Sequence, residues 1–92
     1  MSEKFSKEEK QKLLFLNLVL SMQTAALQNL GKAENPMTNS MEVDLEQAQN
    51  YIDLLDMLEK KTANNLVDDE KKYLNMTLTE LKTLYVQQKS KK

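Results

Sequence analysis

The 92-residue sequence predicts an all-α fold, a three-helix bundle in which a helical hairpin packs on a long apolar first helix. Leu, Glu, Lys, Gln, Met and Ala dominate the chain, and these residues favour helix. Apolar residues recur at helical spacing in three stretches, with two turn-rich connections between them. Strand signals are missing, with neither β-branched alternation nor an Asn-Gly or Asp-Gly hairpin turn. The length fits one small helical domain over residues 1–92. A chain of this size buries only about two-thirds of its unfolded surface, so its core is thin.

The first helix is expected from about Lys7 to Leu30. Ser6 and Glu9 have the spacing of a capping box, which makes Ser6 the N-cap. Gly31, the only glycine, follows the last apolar residue, where a left-handed backbone commonly ends a helix. The connection to Val43 carries Asn35, Pro36, Thr38 and Asn39, which is turn chemistry: Pro fixes φ and Asn tolerates positive φ. The second helix is expected from about Leu45 to Thr62, with Asp44 as N-cap and Asn64 or Asn65 beyond its end. The third should run from about Asp69 to Gln88, capped by Asp68. Asp69 and Glu70 then face the positive end of its dipole. Residues 1–5 and 89–92 are expected to fray.

Helices two and three are ordinary amphipathic helices. Leu45, Ala48, Tyr51, Ile52, Leu54, Leu55 and Leu58 share one half of the second wheel. Tyr73, Leu74, Leu78, Leu81, Leu84 and Tyr85 form one stripe of the third. The first helix differs. Residues 13–30 carry no charge, and apolar side chains cover most of the circumference. A helix apolar nearly all round is a buried helix, yet two partners cannot enclose it and there is no fourth. Leaving four or five large side chains bare would forgo about 1.5–3 kcal/mol each. That rivals the whole stability of a small domain. Association with a second copy, most simply as a two-fold dimer, is the expected remedy. Phe15, Leu18, Val19 and Met22 are the candidates for the core and the shared contact. Asn17, Ser21, Thr24 and Gln28 form a narrow uncharged stripe with two readings, a solvated strip or a polar seam that sets register inside the dimer.

The missing residue types exclude much chemistry. The chain has no Cys, His, Arg or Trp. It therefore lacks a thiol nucleophile, an imidazole base and a guanidinium for gripping phosphate. Its net charge of −1 speaks against nucleic-acid binding through a basic field. Asp53, Asp56 and Glu59 do not share a narrow face, and Lys60 and Lys61 adjoin them, so a solvated surface is the better reading than a cation site. No catalytic, cofactor-binding or metal-ligating residue is assigned, and no cofactor is expected. Tyr51, Tyr73 and Tyr85 read as core residues with the hydroxyl at the rim, and Met22, Met57 and Met76 as gap fillers. The apolar run of residues 13–20 loosely mimics a signal peptide. However, Glu3, Glu8 and Glu9 cancel the positive region before it, and cleavage would discard the most apolar helix. The run also stops short of the roughly 20 residues that a membrane span needs. A cytoplasmic protein without membrane contact is expected.

Several positions together resemble one family. They are Asn35-Pro36 with Thr38, Asp44-Leu45, Ala48, Ile52-Asp53-Leu54-Leu55, Met57-Leu58, Lys61-Thr62 and Asn65-Leu66, followed by Glu70, Leu74, Leu78, Leu81 and Tyr85. The preceding helix is similar at Phe15, Leu20, Ala25 and Leu30-Gly31. The pattern resembles a small bacterial family catalogued as domain of unknown function 1844. That resemblance implies a short, soluble, bacterial, all-helical protein and no particular activity. The chain departs from it at Asn39 and Asn64, where the family favours Gly, and at Val67, where it favours a Ser or Thr cap.

The function expected from the residues is non-catalytic. It is a helical interaction or assembly module, a homo-oligomer first, with a helical protein as a possible further partner. An anchored or exported protein using the first helix, and an enzyme or small-ligand binder, are the alternatives.

Overall fold

A computed structural model describes residues 6–91. Three helices, α1 (Lys7–Asn29), α2 (Leu45–Lys61) and α3 (Asp68–Ser90), run up, down and up. The predicted three-helix, all-α architecture is the one observed, and each helix packs on the other two. Residues 1–5 and Lys92, expected to fray, lie outside the described residues.

Local chemistry sets the ends. Ser6 Oγ accepts from the Glu9 N–H, and the Glu9 carboxylate accepts from the Ser6 N–H at 2.8 Å. At the other end of α1, the Lys32 N–H donates to the Leu27 carbonyl and the Gly31 N–H to the Gln28 carbonyl. This is a Schellman closure, and it needs the φ of +74° that Gly31 adopts. Asp44 Oδ1 accepts from the Gln47 N–H to start α2. The Thr62 hydroxyl donates to the Leu58 carbonyl at its end.

The connection between α1 and α2 folds back as a narrow loop. Leu30 bridges Val43, and Asn35 bridges Ser40. Pro36 lies at the tip, where Asn35 Oδ1 accepts from the Met37 N–H and Asn39 takes a φ of 55°. The Asp44 N–H donates to the Asn29 carbonyl, which holds the start of α2 against the end of α1.

Two details differ from expectation, and one alternative left open is decided. Val67, not Asp68, is the N-cap of α3, with Asp68 the first helical residue. Glu70 accepts from the Val67 N–H at 3.1 Å, so its half of a capping box survives, but valine has no oxygen to return the bond. Of the two asparagines after α2, Asn64 takes the left-handed conformation, with φ 68°, and Asn65 does not. Helix α3 also continues through Lys89 and Ser90, expected to be frayed. The Ser90 hydroxyl donates to the Val86 carbonyl, and the Lys89 ammonium lies 5.9 Å from the Tyr85 ring centre.

The relative direction of α1 and α3 follows from two contacts. Lys12 pairs with Asp69, and Gln23 bonds Glu80, each 57 residues apart. A constant offset means parallel helices. The core contains Val19, Ala26 and Leu30 from α1 and its cap, Ala48, Ile52 and Leu55 from α2, and Leu74, Leu78 and Leu81 from α3. The molecule measures 49 × 29 × 15 Å, with a radius of gyration of 14.9 Å. A compact chain of this length would have about 12 Å. The three helices pack pairwise around one small core, and α1 is covered on the side that α2 and α3 occupy.

Candidate functional site

The outer face of α1 is the feature that the rest of the chain leaves unfinished. Leu13, Leu14, Leu18 and Leu20 are 45%, 59%, 45% and 50% exposed. Between them run Asn17, Ser21 and Thr24, all exposed, and no charged residue occurs in α1 beyond Lys12. The Ser21 hydroxyl donates to the Asn17 carbonyl, so it is turned back onto its own helix. Of the uncharged stripe only Gln28 is half-buried.

The four candidate contact residues separate. Val19 is fully buried in the chain's own core, and Phe15 and Met22 pack against that core. Leu18 alone of the four stays open to solvent. Leu13, Leu14 and Leu20 were missed as surface residues, because a wheel that is apolar all round does not say which side α2 and α3 take. A signal for the α3 side was present in Lys12 and Gln23. They stand 11 residues apart, three turns along one line of the helix. Lys12 pairs with Asp69 at 3.1 Å. Gln23 accepts from the Tyr73 hydroxyl and donates to Glu80. Polar residues on an apolar helix thus mark its contact with α3.

Chemical sites are sparse among the described residues. No three His, Cys, Asp or Glu side chains converge as metal ligands. An open cleft of about 710 Å³ separates the N-terminal ends of α1 and α3, rimmed by Glu8, Glu9, Asp69 and Glu70. Three of its carboxylates are engaged: Glu9 caps α1, Glu70 caps α3 and Asp69 holds Lys12. Two carboxyls sit below their ordinary range, both for structural reasons. The Ser6 backbone N–H, then its hydroxyl, holds Glu9 down. The hydrogen bond from Lys60, then the charge of Lys82, holds Asp56 down. Both are therefore ionised at neutral pH, the wrong state for a general acid.

Among the described residues no helix is long and apolar enough to cross a membrane. No curated protein and no solved structure matches the chain. Residues 12–87 match the family Domain of unknown function (DUF1844), and the match covers all of α2 and most of α1 and α3. With most of its length covered, the chain belongs to that family.

Proposed function

We propose that the protein is a non-catalytic helical assembly module of the cytoplasm, which associates with itself through the outer face of α1. The observation that carries this reading is the row of half-exposed leucines on a helix without charge from residue 13 onward. Soluble monomers rarely expose a contiguous apolar patch of that kind without using it.

The part that α1 plays in the fold supports the cytoplasmic reading over an exported one. It and its cap contribute Val19, Ala26 and Leu30 to the core, so removing this helix as a signal would open the bundle. Sedimentation equilibrium across nanomolar to micromolar protein tests the reading. A mass that doubles with concentration is expected, and a monomer throughout the micromolar range would overturn it.

A further inference from the structure

The exposed face of α1 has an internal order that says how two copies would meet. Its residues follow a heptad in which Leu13, Leu20 and Leu27 occupy one position, and Lys10, Asn17 and Thr24 the other. Leu13 and Leu20 are half exposed, Asn17 and Thr24 are exposed, and Leu27 is partly buried against the core. In a parallel, in-register pair each layer meets itself, leucine on leucine and asparagine on asparagine. In an antiparallel coil the two heptad positions face each other, so Asn17 would meet a leucine and its amide would go without a partner. An amide taken from water without a hydrogen bond is costly, whereas two facing amides satisfy one another.

Three further observations favour a second copy as the occupant. The face carries no charge from residue 13 to residue 29, so it offers nothing for a charged partner to complement. The four half-exposed leucines leave a few hundred Å² of apolar surface. That is the apolar share of a standard interface of about 800 Å² per partner. Beside the heptad row lies a groove of about 410 Å³ lined by Leu16, Asn17 and Leu20 of α1 and Tyr73 of α3, with the Lys12–Asp69 ion pair at its edge. A groove flanking the row is what a knob from a facing helix requires.

We infer that two copies of this chain pair through parallel, in-register α1 helices, with Asn17 against Asn17 across the two-fold axis. The inference rests on the self-association proposed above and adds its geometry. Asn17 then sets alignment rather than strength, because register is the best-attested role of a buried polar residue in such a seam.

The chain lacks cysteine, so single-cysteine variants report contacts without interference. Lys10→Cys and Thr24→Cys are placed in exposed positions on the two sides of Asn17, and Lys60→Cys on exposed α2 serves as control. Under mild oxidation, Lys10→Cys alone and Thr24→Cys alone should each form disulfide-linked dimers about tenfold faster than the control. If Thr24→Cys instead cross-links faster with Leu13→Cys, when the two are mixed, than either does alone, the two heptad positions face each other, the helices are antiparallel and the inference is overturned. If no variant or mixture exceeds the control while sedimentation shows a dimer, the shared surface is not this row, and the geometry fails while self-association stands. If sedimentation shows a monomer, the proposed function fails first.

Discussion

Val67 is an unusual residue to begin a helix. It sits with an extended backbone, φ −74° and ψ 166°, as an N-cap should, yet no side-chain oxygen meets the first-turn N–H groups. The reciprocal bond from Glu70 is already in place. Val67→Ser should therefore complete the box and raise stability by about 1 kcal/mol, seen as a higher midpoint in urea. Gly31 is the opposite case. Its φ of +74° suits glycine, and a Cβ there would lie 2.9 Å from Val43 Cγ2. Gly31→Ala should cost about 1–2 kcal/mol in the same titration. Asn39 and Asn64 also have positive φ, and they stand where the family resemblance leads one to expect glycine. Asparagine is the side chain that best tolerates that region, so these departures preserve the turns.

Acid sensitivity belongs to the same scale. Glu9 and Asp56 are held below their ordinary values of 4.5 and 3.8. A carboxyl depressed on folding contributes stability that is full above its unfolded-state pKa. That contribution disappears as pH falls through the folded value. Helicity followed by circular dichroism should therefore decline below about pH 4.5 as the α1 cap protonates. The contact of Asp56 with Lys60 and Lys82 follows at lower pH. Glu9 is exposed and Asp56 half-exposed, so the effect is small and weakens further in salt. Asp56→Asn should remove its share of the slope.

Among the elements, α2 and α3 each have a buried stripe and a mainly polar outer face, on which Leu54, Met57, Met76 and Val86 are exposed singly. Helix α1 does not, and its polar residues carry distinct tasks. Lys12 and Gln23 tie it to α3, through Asp69 in one case and through Tyr73 and Glu80 in the other. Asn17, Ser21 and Thr24 run along the open side. Asn17→Leu separates a seam from a solvated strip. In a seam it should raise thermal stability and broaden the distribution of oligomer sizes in sedimentation velocity, because leucine strengthens the contact and no longer sets alignment. On a solvated strip it would leave oligomer size unchanged and only lower solubility.

The whole molecule has a small core, and that connects the fold to the proposed association. Nine buried apolar side chains support the fold among the described residues. A second copy against α1 would add an apolar layer without adding chain, a common solution for small domains. Leu20 is half exposed, outside that core. Leu20→Glu should consequently leave the helical spectrum intact and halve the sedimenting mass. An unchanged mass would mean that the outer face of α1 is not the contact.

The residues themselves carry helix order, helix period and most end signals. Ser6 with Glu9, Gly31, Asn35-Pro36 and Asp44 act on backbone groups within a few positions, so their effect is local and readable along the chain. Val67 was not readable in that way. Its cap position depends on the backbone conformation that Glu70 stabilises, not on its own side chain. Helix α3 runs two residues past Gln88, because Lys89 over Tyr85 and the Ser90 hydroxyl on the Val86 carbonyl support its last turn, and helix ends are the least regular part of the pattern. Tertiary structure alone decided which side of α1 is bare. On a wheel apolar all round, every direction satisfies the hydrophobic pattern equally. The choice fell to the packing partners: α3 attached along the line of Lys12 and Gln23, and α2 folded back through Gly31 and the Asn35–Ser40 loop. Once those sites were taken, the leucines around Asn17 were left facing water.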